Sequence, residues 1–248
     1  MAELRCDFAS EVLEVDTSMT VVLPDRVEGQ RATGPEGLPV LYLLHGLGVD
    51  DTSWLRRTSI ERYAEPLGLA VVMPSVVRSC YTDEAHGLRY WTFLTEELPL
   101  VVDRFFHVST RREDTFVAGL SMGGYGALKW ALRHPDRFAA AASLSGALDL
   151  AVLLQEPDRA ELLSRVFGAA VGPDDDLLRL LDVADPRNLP PLFVGCGTED
   201  HLVAANRTFE AAAGAAGVAL DVEYTSGGHE WDYWDAAIRR VLAWLPLG

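Results

Sequence analysis

Six short apolar runs punctuate the chain: Val40–Leu44, Ala70–Met73, Thr115–Ala118, Ala139–Leu144, Pro191–Cys196 and Leu220–Tyr224. Turns and amphipathic stretches separate them. A run that is apolar at nearly every position, rather than at every second one, buries both of its faces. Strands of a parallel sheet read this way. Upstream, Glu3–Phe8 alternates polar and apolar residues and Met19–Leu23 ends at Pro24, so this pair predicts an antiparallel edge. A Gly/Pro-containing loop is expected over Glu28–Pro39. The whole predicts one α/β domain over residues 1–248, with a mainly parallel central sheet, helices on both faces and an antiparallel N-terminal edge.

The intervening helices leave their own marks. Thr58-Ser59-Ile60-Glu61 has capping-box spacing and predicts a helix to about Leu67. Trp91–Phe106 is helical in period but interrupted by Pro99. Gly123–His134 stops before Pro135, His201–Ala216 ends at Gly217, and Trp231–Leu245 closes the chain. Residues 147–188 break the alternation. They hold only helical pieces, among them an acid-headed one over Asp174–Ala184. Such an excursion reads either as a surface insertion or as a partial lid, because sites in open α/β sheets lie at the strand C-terminal ends.

The chemistry is concentrated at Gly119-Leu120-Ser121-Met122-Gly123, between the strand Thr115–Ala118 and the helix from Gly123. Gly-x-Ser-x-Gly acquires meaning from this strand–turn–helix setting, in which a sharp turn lifts a serine oxygen clear of the backbone. The two glycines are expected to relieve collisions with neighbouring backbone. A phosphate cradle is excluded. A P-loop needs Lys-Ser/Thr after its last glycine, where this chain has Tyr125, and "GLSMGG" lacks the dinucleotide spacing.

A nucleophilic serine needs a base, and the base needs an orienting acid. His229, in "YTSGGHEWDYW" after the last apolar run, is the candidate base, and Asp200, at the end of "LFVGCGTED", is the candidate acid. Glu199 and Asp149 compete for the acid role. The chain order serine, acid, histidine is that of hydrolases with this elbow. His86, His107, His134 and His201 have no matching partners in the sequence. Two backbone N–H groups, of Met122 and of Leu47 in "HGLG", are the candidate oxyanion donors, with His45 holding that loop by a side-chain hydrogen bond. Trp54, Tyr81, Trp91 and Trp231 are candidate pocket walls, with core packing as the competing reading for each. No metal is expected: Asp200 and His229 would need further ligands, and the spacing offers none.

A net charge of -16 argues against nucleic acid and anionic membrane surfaces as partners. Three distant cysteines form no disulfide framework, and Cys196 reads as core. "MAELRCDFASEV" carries charges where a signal peptide needs an apolar stretch, which predicts a cytoplasmic location. Lys129 is the sole lysine and reads as compositional bias.

"LYLLHGLGVDDTSWLRR", "GLRYWTFLTEELP", "VSTRREDTFVAGLSMGGYGALKWALRHPDRFAAAASLSGALD" and "GGHEWDYWD" resemble the putative-esterase family of α/β-hydrolases. That family includes esterase D (S-formylglutathione hydrolase), feruloyl esterases and the antigen 85 mycolyltransferases. Within it the chain looks most like the tributyrin-esterase branch, which acts on short acyl chains. The resemblance implies an α/β-hydrolase fold and a serine carboxylesterase with Ser121, Asp200 and His229 as its triad. It implies the Leu47 and Met122 amides as the oxyanion hole, no cofactor, and a small-molecule ester as substrate. A homo-oligomer is compatible with it. Leu120 and Tyr125 replace the two histidines of the glutathione-hydrolase pattern Gly-His-Ser-Met-Gly-Gly-His-Gly, and Ser75 stands where an acidic or amide residue is expected. An acyltransferase or a glutathione-type thioesterase would use the same residues. A non-catalytic binding protein is the alternative of a different class.

Overall fold

The computed structural model describes residues 1–25, 37–154 and 157–247. Most of the loop expected over Glu28–Pro39 therefore lies outside the described residues. Eight strands form one sheet: β1 (Ala2–Ser10), β2 (Val15–Leu23), β3 (Val40–Leu44), β4 (Ala70–Pro74), β5 (Thr115–Leu120), β6 (Ala140–Leu144), β7 (Leu192–Gly197) and β8 (Leu220–Thr225). Their spatial order is β1-β2-β4-β3-β5-β6-β7-β8. The β1–β2 and β2–β4 pairs are antiparallel, and every later pair is parallel, with β3 between β4 and β5. This is the mainly parallel sheet with an antiparallel edge expected from the apolar runs, in the α/β-hydrolase arrangement that the resemblance implies.

The helices are α1 (Ser53–Arg57), α2 (Ile60–Ala64), α3 (Tyr90–Thr92), α4 (Leu98–Phe105), α5 (Met122–Arg133), α6 (Leu150–Leu153), α7 (Ala160–Phe167), α8 (Leu177–Val183), α9 (Val203–Ala215) and α10 (Trp231–Trp244). Alternation along each strand divides the core in two. Val40, Tyr42 and Leu44 of β3 face one cluster, which holds Trp91 and Leu98, the α5 side chains Leu128 and Trp130, and Phe209 of α9. Leu41 and Leu43 face the other, with Trp54, Ile60, Tyr233 and Ile238 from α1, α2 and α10. The predicted layering on both faces is thus present.

Two local expectations change and a third holds. The Thr58 capping box does not form. Thr58 Oγ1 donates to the Trp54 carbonyl and ends α1, which the sequence reading missed, while the Ser59 N–H is taken by Asp235. The helix over Pro99 is not broken. A π-helical stretch, Phe93–Glu97, joins α3 to α4. Pro99 has no N–H to offer the Thr95 carbonyl four residues back, and the Arg137 guanidinium donates to that carbonyl instead. At α8, Asp176 is the N-cap and accepts from the Leu178 and Arg179 N–H groups, which the acidic run foreshadowed.

Candidate active site

β5 ends at Leu120 and α5 begins at Met122, leaving Ser121 alone to turn the chain. Its φ of 54° and ψ of -118° lie in a region that L side chains rarely occupy. The turn is held from outside: the Ser121 N–H donates to the Leu144 carbonyl, and its own carbonyl accepts from Tyr125 and Ala147. A Cβ on Gly119 would collide with the Gly123 backbone, and one on Gly123 with the Leu44 and His45 carbonyls. The glycines are therefore required by close backbone approach, as the motif suggested.

The structure brings Ser121, His229 and Asp200 together. His229 Nε2 stands 3.0 Å from Ser121 Oγ, and its Nδ1 stands 2.9 Å from Asp200 Oδ2. Asp200 is 2% exposed. Burial alone would raise its carboxyl pKa, but hydrogen bonds from His229, the Leu202 N–H and the Ser145 hydroxyl outweigh that and hold it below the ordinary value. An ionised carboxylate only accepts. His229 Nδ1 must then carry the proton, which leaves the Nε2 lone pair toward Ser121. The competing acids are engaged elsewhere. Asp149 accepts from the Ala151 N–H. Glu199 accepts from the Gly227 N–H and from Thr198, and so shapes the loop that carries His229.

The Leu47 loop, Ser121, Met122 and His229 line one cavity of about 190 Å³. Neither the Leu47 nor the Met122 N–H donates to a partner among the described residues. His45 is buried and fixes the Leu47 loop. Its Nε2 accepts from the Val76 N–H at 3.1 Å, so its Nδ1 donates to the Gly46 carbonyl at 2.8 Å. Burial, which disfavours charge, pushes its pKa down and keeps it neutral.

None of the four aromatic candidates reaches this cavity, and each is corrected to a packing residue. The Trp54 indole donates to the Leu44 carbonyl and its ring meets Trp231 edge-on. Trp231 in turn packs on Trp234. The Tyr81 hydroxyl donates to the His45 carbonyl, and Trp91 stacks on His134. Their size suits them to the core, and polar edges find backbone or ring partners there. The walls come instead from the helical excursion, through Ala147, Leu150, Leu153, Arg159, Leu162 and Leu163. The lack of strands over 147–188 was the one sequence signal for them. Ser75, the departure noted above, pairs with Ser18 and Thr17 and does not line the cavity.

Two neighbours escaped the sequence reading. Ser145, at φ 47°, accepts from the Trp234 indole and turns its proton toward Asp200. His201 does have a partner: its ring stands 4.5 Å from that of His229, and its Nδ1 lies 3.5 Å from Asp200 Oδ1. Adjacency to Asp200 was the only clue.

Comparison with known proteins agrees with this fold. The profile of the Putative esterase family matches residues 10–245. An acetyl esterase of Caldicellulosiruptor saccharolyticus is 30% identical, over 99% of this chain and 98% of that protein. Among solved structures, a fluorophosphonate-binding serine hydrolase of Staphylococcus aureus, substrate bound, is 34% identical with a TM-score of 0.91, covering 100% of this chain and 98% of its own. An S-formylglutathione hydrolase of the same organism is also 34% identical, with a TM-score of 0.87 and 100% and 99% coverage. No helix among the described residues is long and apolar enough to cross a membrane.

Proposed function

The chain belongs to the Putative esterase family, and from that premise we propose that it is a serine carboxylesterase acting on short-chain acyl esters. The observation that carries this reading is the continuous line of contacts from Asp200 through His229 to Ser121, opening on a mainly apolar cavity. His229 takes the Ser121 proton as Oγ attacks the ester carbonyl carbon. The oxyanion is received by the Leu47 and Met122 N–H groups, each worth ~3 kcal/mol in such a role. His229 then protonates the departing alcohol, and water repeats the sequence on the acyl-enzyme with the same base. Asp200 fixes the imidazole tautomer and stabilises its charged form. The four leucines contributed by the excursion suit an acyl chain, and the excursion acts as a partial lid over it. No cofactor enters this sequence.

The 34% identity to an S-formylglutathione hydrolase favours a second reading, in which the ester is a thioester. Against it stand Leu120 and Tyr125. One experiment separates the two: rates on p-nitrophenyl esters of increasing acyl length, beside the matched thioester, for the wild type and Ser121→Ala. The expected outcome is preference for short oxygen esters and a loss of ~10⁴-fold or more in the folded variant. Hydrolysis retained without Ser121 would discard the mechanism, and a preference for the thioester would replace the substrate class.

A further inference from the structure

We infer that Asp200, His201 and His229 form a binding site for a zinc-class divalent cation, and that its occupation arrests the proposed esterase. One ligand atom from each residue can be chosen so that all lie within 4.8 Å of one another. His229 Nδ1 is 3.1 Å and His201 Nδ1 3.5 Å from Asp200 Oδ1. Ligands ~2.0–2.1 Å from a tetrahedral zinc stand roughly 3.3 Å from each other, so the two carboxylate–imidazole spacings need little adjustment, and the exposed His201 ring is the one to move toward His229. Two imidazoles and a carboxylate suit zinc or copper rather than magnesium or calcium. The three residues differ in freedom as a capture site requires. The Asp200 side chain is wholly buried and fixed by the Leu202 N–H, whereas the His201 side chain is 60% exposed. An ion can therefore enter from the His201 side, keeping its fourth position for water. A net charge of -16 raises the local cation concentration.

Blockade follows from the atoms involved and rests on the proposed role of His229. An ion on Nδ1 displaces the proton shared with Asp200, and an ion on Nε2 takes the lone pair that would accept the Ser121 proton. Either way proton transfer stops while Ser121 stays intact, so a chelator restores activity.

The test titrates zinc chloride alone into the full chain by calorimetry and, separately, into the p-nitrophenyl acetate assay, for the wild type and His201→Ala. We expect a single dominant site, weakened at least ~10-fold without the imidazole ligand. The half-inhibitory concentration, taken relative to each protein's own metal-free rate, moves by the same factor, and chelation reverses the inhibition. Zinc binding of equal strength in the variant, or no saturable binding, overturns the site. Binding that His201→Ala weakens, with hydrolysis unaffected throughout, keeps the site and overturns His229 as the base.

Discussion

Helix α5 carries a buried polar cluster at each end, and the two are built on opposite terms. At its start, Ser121 sits in a strained turn, with two amide donors left unpaired beside a cavity. Two turns later, Lys129 is fully buried. Its ammonium is bound by the Tyr81 carbonyl at 2.9 Å, the Thr82 hydroxyl at 2.9 Å and Asp175 at 2.5 Å, and it stands 4.4 Å from the Trp91 ring. Nothing there is left to react. Backbone strain is shared by both clusters and does not divide them. Six non-glycine residues among those described have positive φ, and five of them (Val77, Cys80, Tyr81, Ser121 and Ser145) lie just beyond β4, β5 and β6. The Lys129 ammonium helps hold one of these strained loops, since its carbonyl and hydroxyl partners belong to Tyr81 and Thr82. A buried charge marks chemistry only where its neighbours leave donors and lone pairs unspent.

The comparison breaks first at Asp200. If that carboxylate orients a reacting imidazole, Asp200→Asn lowers kcat on p-nitrophenyl acetate by on the order of 10³–10⁴-fold with little change in KM. Thermal unfolding stays cooperative. A loss of less than about tenfold would make Asp200 as structural as Asp175.

Lys129→Met probes the other end. The substitution strips three acceptors of their donor and leaves Asp175 half of an ion pair. A loss of about 2–4 kcal/mol in urea unfolding is expected, with kcat below the transition little altered. The result that contradicts this division of labour is a large fall in kcat with stability unchanged.

These two clusters were unequally legible. The five central strands β3 to β7 announce themselves as apolar runs, because burial on both faces leaves no room for polar residues, whereas the edge strands β1 and β8 keep charged residues on their open face. Ser121, Asp200 and His229 follow from motif and chain order, since each lies just beyond a strand end. Lys129 reads as a quirk of composition, and only packing shows that it ties α5 to the loop after β4 and to Asp175 before α8. Trp54, Tyr81, Trp91 and Trp231 look like pocket walls by residue type, yet each is spent in packing. The leucines that do line the cavity lie in irregular helices whose placement no periodicity specifies. His201 meets His229 only through the folding of two loops 28 residues apart in the chain.

The last and smallest effect separates a held charge from one merely tolerated. Burial disfavours the Lys129 ammonium more than Asp175 favours it, so its pKa is lowered from 10.5 to about 8. Between those values the unfolded chain keeps the proton and the folded chain sheds it. Unfolding then takes up a proton, and stability rises with pH. The buried thiols act in the opposite sense. Burial pushes Cys80 up to about 11, so its contribution is present below 9.0 and lost as pH rises above it. Tyr81 and Tyr125, held well above their ordinary value by burial, do the same at higher pH. Subtracting the Lys129→Met variant at each pH removes most of these shared terms. The difference in unfolding free energy should climb between pH 8 and 9 by less than about 1.4 kcal/mol per unit, the limit for one proton. A flat difference would mean that Asp175 keeps the ammonium charged throughout. The ion pair would then be as firmly committed as the Asp200–His229 couple, and only the cavity and the unpaired amides would distinguish the two ends of α5.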